Sequence, residues 1–272
     1  MNGGVSRSIC LTGFVASLLS ACGTSPIDAI SVAGLVAHWP FDEGTGSVVH
    51  DTSGKLPHDG AIGGTTWSWL PQGRFGGALH LEQGDYVAVD NFPIATPDWT
   101  VSAWVQIAAK DVPTVDGTVA TVISTEDLSR GGWEMNVMGP TVLPTPKAAA
   151  YHFGFYTGPG NFTYAAHYEC SGCIHADQWQ QLTAVVASTL DGVVDGGVDS
   201  GAATLSFYLD GVLQNRQQVL RTILPGTPTL YMGRWQSTDP PRLLVGSIDE
   251  IAIWSRALAS EEILALNRAP VQ

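Results

Sequence analysis

Positive charge is scarce in this chain: 12 Lys and Arg stand against 25 Asp and Glu in 272 residues. The basic residues are scattered, so the dense cationic surface needed to neutralise a phosphate backbone is missing and a nucleic-acid partner is excluded. Charge of either sign is low, at 14% of residues. Three catalytic signatures are also absent: a Gly-x-Ser-x-Gly nucleophile elbow, a His-Glu-x-x-His zinc helix and a phosphate-binding Gly loop. Paired glutamates two or four residues apart on one strand, which would put two carboxylates on one face for glycoside hydrolysis, do not occur either. Glu126 in "STEDLSR" has the wrong spacing and no strand context.

What the chain does contain is Gly (31), Pro (16) and Trp (nine), a composition of strands and turns more than of helices. From Gly34 onward, short alternating runs such as "LVAHWPF", "WTVSAWVQI", "GGWEMNVM", "WQQLTAVVAS" and "LVGSIDEIAIW" predict close to a dozen strands. Asp210-Gly211 in "YLDGVL" predicts a tight hairpin turn. An all-β, two-sheet sandwich follows, and the closing "SRALASEEILAL" predicts one short helix with Ser260 at its cap. The segments 109–118 and 190–203 read as insertions; Asp191, Asp195 and Asp199 in the second lack the tight spacing of a calcium loop.

Residues 1–22, "MNGGVSRSICLTGFVASLLSAC", hold one Arg and then an apolar stretch from Ile9 to Leu19, too short for a permanent span. Its end resembles a bacterial lipobox, which implies lipidation at Cys22 and attachment to the cell envelope, at the outer membrane or the cell surface. Residues 23–33 then form a tether and 34–268 the folded domain.

Cys170 and Cys173 lie close together in "HYECSGCIH" with His167 and His175. A single CxxC is a weak metal signal, and in an exported chain a Cys170–Cys173 disulfide at a hairpin tip is the expectation. Trp67, Trp69, Tyr156, Tyr164 and Tyr168 are candidate platforms for sugar rings; the alternative is that such aromatics fill the core.

"GLVAHWPFDEGTGSVVHDTSGKLPHDG", "RFGGALHLEQGDYVAV", "WTVSAWVQI", "WQQLTAVV", "LSFYLDGVL", "LYMGR" and "GSIDEIAIWSRALASEEI" occur in an order that resembles the laminin-G-like, concanavalin A-like jelly-roll superfamily. The resemblance implies two antiparallel sheets of six or seven strands with the first and last strands paired. It also implies a non-catalytic binding module for a glycan or a protein partner, a spacer domain, or, less in keeping with the sequence, a hydrolase or lyase on the same fold. By the same resemblance Asp42, Asp51 and Asp249 lie at one end of the sandwich. There they would hold Ca²⁺, or Asp249 would accept backbone N–H groups of the opening turn without metal. Glu250, the neighbour of Asp249 on a strand, is expected to point to the opposite face.

Overall fold

The computed structural model describes residues 32–54, 56–92, 98–126, 131–140, 148–156, 164–188, 202–220, 226–236 and 242–271; the side chains of 155–156, 164–171, 202 and 219–220 lie outside the description. Sixteen strands and one helix are formed by these residues. The strands are β1 (Leu35–Trp39), β2 (Val48–Val49), β3 (Gly60–Gly63), β4 (Ser68–Leu70), β5 (Ala78–Leu81), β6 (Tyr86–Val89), β7 (Trp99–Gln106) and β8 (Val119–Ser124). They continue as β9 (Gly132–Met138), β10 (Ala150–Tyr156), β11 (Tyr164–Ser171), β12 (Gln180–Ser188), β13 (Ala202–Leu209), β14 (Val212–Leu220), β15 (Leu230–Met232) and β16 (Gly246–Trp254). The helix, α1, is Ser260–Leu266.

All pairings are antiparallel. The first sheet runs β14-β13-β12-β7-β16-β5-β4 with β1 added on β16, and the second runs β11-β10-β9-β8-β15-β6-β3-β2. Each has eight strands rather than the expected six or seven, because short strands such as β2, β4 and β15 are too brief to show alternation in the sequence. The first and last strands are paired, His38 opposite Ala252 and Trp39 opposite Ile251.

Alternate residues of the two sheets interleave in one core, including Trp39, Leu79, Val101, Val122, Met135, Phe153, Leu182 and Ile253. Trp99, Trp133 and Phe153 pack ring against ring with centroids 5.1–6.2 Å apart. Tyr151, another of the mid-chain aromatics, is also core, its hydroxyl donating to Gln180 Oε1 at 3.0 Å. The Asp210-Gly211 hairpin forms as read, with φ of 50° and 78°, the double positive φ of a type I′ turn.

The outer face of the first sheet is closed. Leu35, Val185, Tyr208, Ala252 and Trp254 on that face form a second apolar cluster with Leu258, Ile263 and Leu266 of the α1 region. Ala259, not Ser260, caps α1: the Ala259 N–H donates to Glu262 Oε2 at 2.9 Å, and Arg256 grips both Glu262 oxygens. Ser260 Oγ instead lies 3.1 Å from the Tyr208 hydroxyl, so the residue chosen as a cap ties the helix to the sheet.

Candidate binding site on the outer face of the second sheet

The Asp249–Glu250 pair sits where β16 changes partner. Residues 246–248 pair with β5, residues 251–254 pair with β1, and between them the register against β7 slips. Glu250 takes a positive φ of 48°, a bulge that departs from strand alternation. Ile248 and Ile251 remain in the core, Asp249 is in register with Trp104, and Glu250 lines the cavity of Trp104, Ser102, Gln181 and the C-terminal residues Leu266, Ala269 and Val271. Both carboxylates therefore face the outer side, and the expectation of opposite faces fails because the bulge inserts one extra residue.

Each carboxylate binds a different part of the chain. Asp249 Oδ2 accepts the Arg74 and Phe75 N–H groups at 2.7 and 3.0 Å, closing the gap between β1 and β5 with the 73–77 turn. Glu250 Oε2 accepts from His38 Nε2 at 2.9 Å and from the Val271 N–H at 3.2 Å. Burial, and then the charge of Glu250, push Asp249 up to about 7 against the pull of the Phe75, Arg74 and Glu250 backbone N–H groups. Asp249 does accept backbone N–H bonds, but from the loop before β5 and not from the opening turn.

The proposed calcium set does not converge. Asp42 Oδ1 accepts the Gly77 N–H at 2.6 Å, beside Asp249's turn. Asp51 closes a different loop: its oxygens accept N–H groups of His38, Ser53 and His58 at 2.9–3.0 Å. Burial would raise the Asp51 carboxyl, yet those three donors outweigh it and hold it below the usual carboxylate range. Among the described residues no three His, Cys, Asp or Glu side chains gather as a metal site. The physical reason is that backbone amides already supply the positive partners a cation would have supplied.

Trp67 and Trp69 meet edge to face at 6.2 Å and are half-buried against the core, with Trp69 Nε1 donating to the Gly46 carbonyl at 2.9 Å. They hold the β4 loop more than they offer a stacking surface. The side chains of Tyr156, Tyr164 and Tyr168 lie outside the described residues, as do Cys22, the 191–199 aspartates and the side chain of Cys170. Cys173 is disulfide-bonded.

A polar cluster that sequence reading did not assemble lies on the outer face of the second sheet. Along β8, β9 and β10, Val122, Met135, Val137, Tyr151 and Phe153 point into the core, so Thr121, Glu134, Asn136 and His152 point out. Register places Thr121 opposite Asn136, and Asn136 opposite His152, in one row across three strands. Just beyond β8, Glu126 joins Glu134. Glycines make that approach possible: a Cβ at Gly132 or Gly226 would come within 2.4 or 2.1 Å of the Thr125 carbonyl.

The cover comes from the segment after β15. Arg242 occupies the place beside β8 that β15 would have continued into, its carbonyl accepting the Thr121 N–H at 3.1 Å. Its Nη1 donates to Glu134 Oε2 at 2.8 Å and Glu126 Oε2 at 3.3 Å, and its guanidinium stacks 4.0 Å above the Trp235 ring. Burial would raise the Glu134 carboxyl; the neighbouring Glu126 carboxyl, the charges of Arg242 and His152 and the Asn136 amide outweigh this and keep it below the usual carboxylate range.

Three polar atoms in this cluster have no hydrogen-bond partner although they are shielded from bulk solvent: Thr121 Oγ1, Asn136 Oδ1 and Trp235 Nε1; the Asn136 amide group is turned to Glu134. An amide oxygen, a hydroxyl and an indole N–H left unused are costly in a folded interior, and an added molecule with donors and acceptors would satisfy them. The Arg242 side chain, 21% exposed, is where the cluster meets solvent. Nothing in "GGWEMNVM" alone marks this site; the signal available was three polar residues on the outward positions of neighbouring strands.

Residues 81–264 match the family described as the concanavalin A-like lectin/glucanases superfamily. The chain is also similar in structure to the receptor-binding domain of botulinum neurotoxin D (TM-score 0.60, 15% identity, 88% of this chain and 53% of that one). A serotype D ligand-binding domain in complex with N-acetylneuraminic acid is similar at TM-score 0.60 and 15% identity over 87% of this chain and 51% of that one. The binding domain of botulinum neurotoxin DC in complex with SialylT gives TM-score 0.59 and 12% identity, over 88% and 51%. The chain thus spans about half the length of these proteins, and at such identity the likeness is one of fold. No curated protein matches the sequence.

Proposed function

Starting from the fact that this chain belongs to the concanavalin A-like lectin/glucanases superfamily, we propose that it is a non-catalytic glycan-binding module held at the bacterial cell envelope through a lipid on Cys22. The ligand face is the outer side of the second sheet, since α1 and the C-terminal segment close the outer side of the first. The observation that carries the reading is the row Thr121–Asn136 with Trp235, whose buried polar atoms lack protein partners. Sugar hydroxyls donate and accept at one atom, which suits an amide and a hydroxyl side by side. Complexes of structurally similar domains with N-acetylneuraminic acid and SialylT support a glycan over a protein partner. The lipid anchor rests on residues 1–22.

The Glu126–Glu134 pair invites a hydrolase reading, but its geometry argues against one. Retaining glycosidases hold their two carboxyl groups about 5–5.5 Å apart with the sugar between them, and inverting ones hold them farther apart. Here one oxygen of each carboxyl group is bound to the same nitrogen of Arg242. Glu134, held below the usual carboxylate range, also lacks the raised pKa that a general acid needs. A panel of oligosaccharides tested by calorimetry and by product analysis checks the proposal. Binding without turnover is expected, and Asn136→Ala should weaken it at least about tenfold, as loss of buried hydrogen bonds to ligand does, with no loss of thermal stability. Binding unchanged in Asn136→Ala, or hydrolysis of any panel member, would refute the reading.

A further inference from the structure

Resting on that reading, we infer that the glycan accepted by this face is uncharged, and that acidic sugars such as sialylated chains are rejected. The structurally similar domains include complexes with N-acetylneuraminic acid and SialylT, so this chain would differ from them in the charge of its ligand. Two independent features of the cluster lead there.

The first is charge. Arg242 is the guanidinium at the mouth of the site, and it is already engaged by both Glu126 and Glu134. His152, the other basic side chain of the row, also acts on Glu134. Among the described residues, the basic side chains of this row are thus already turned to carboxylates, and a ligand carboxylate would compete with Glu126 and Glu134 for Arg242. It would be brought beside Glu134, and like charges in a shielded site repel strongly. The chain's net charge of −13 adds repulsion at longer range.

The second is hydrogen-bond sense. The unpartnered atoms are mixed: Trp235 Nε1 can only donate, Asn136 Oδ1 can only accept, and Thr121 Oγ1 can do both. A ring of hydroxyl groups can satisfy all three. A carboxylate only accepts, so it would leave Asn136 Oδ1 facing lone pairs, with the Glu134 carboxylate close by.

The test uses the full chain in detergent micelles and neutral oligosaccharides of hexose and N-acetylhexosamine. Each is paired with its terminally N-acetylneuraminylated form, and affinities are measured by calorimetry at two salt concentrations. Neutral members should bind at least about tenfold tighter than their sialylated partners, and their affinity should change less than about twofold when salt is raised, because no ion pair is formed with the ligand. Equal or tighter binding of the sialylated forms, or strong weakening by salt, overturns the inference while leaving a glycan-binding module. Binding of no member of either set overturns the glycan reading, and the inference falls with it.

Discussion

Asp249→Asn should stabilise this protein, and should do so more as pH rises. Asp249 is fully buried, with Oδ2 bonded to two backbone N–H groups and Oδ1 shielded without a partner. Its folded pKa lies near 7 against an ordinary 3.8. A carboxyl group raised in the folded state costs nothing below its unfolded pKa, becomes costly as pH climbs toward the folded pKa, and stays so above it. At about 1.4 kcal/mol for each factor of ten, the full cost above pH 7 is on the order of 4 kcal/mol. Part of this is already present at pH 5, so between pH 5 and pH 8 the wild type should lose on the order of 2–3 kcal/mol relative to the variant. Asn keeps an oxygen for Arg74 and Phe75 and can aim its amide donors toward Glu250, so the native bonds survive. Urea unfolding followed by the fluorescence of the nine Trp residues gives the difference directly, provided the slopes agree. A gap between variant and wild type that stays constant or narrows from pH 5 to pH 8 would show that Asp249 is not held protonated by its surroundings.

Asp51→Ala should destabilise by roughly 2–4 kcal/mol, since three backbone donors lose their acceptor. Because its folded pKa is depressed, the wild-type advantage in denaturant titrations should be present at pH 7 and vanish as pH falls below about 4. Thorough chelation should leave the unfolding temperature of the wild type unchanged, as Asp42 and Asp249 bind backbone N–H groups of the 73–77 turn while Asp51 closes another loop; a calcium-dependent rise in calorimetry would contradict that. Phe153→Ala, emptying the space between Trp99 and Trp133, should cost about 3–5 kcal/mol in urea unfolding, with a reduced near-ultraviolet dichroism signal. Cys22→Ser should move the protein from the membrane to the soluble fraction of cells; retention in the membrane would disprove the lipid anchor.

Several features were settled by the sequence alone because they are local. Alternation in "WTVSAWVQI" and "GGWEMNVM" marks β7 and β9, since a strand half-buried in a sandwich must repeat with period two. Asp210-Gly211 marks its hairpin because few residues accept two successive positive φ angles. The order of these pieces was enough to name the sandwich and to pair its ends. What only the tertiary structure decided were meetings across strands. Whether Asp249 and Glu250 share a face depends on a bulge at the point where β16 exchanges β5 for β1, and the Asp-Glu doublet between Ile248 and Ile251, a break in the period of two, was the one local sign of it in "GSIDEIAIW". Glu126 looked misplaced because its partner is not on its own strand: Glu134 follows on β9, and Arg242, 116 residues after Glu126, closes the group. Asn136 and Thr121 face each other only through register. Register and bulges are fixed by the summed packing of two sheets, not by the residues at one position, so a site built from neighbouring strands stays unread until the sheets are assembled.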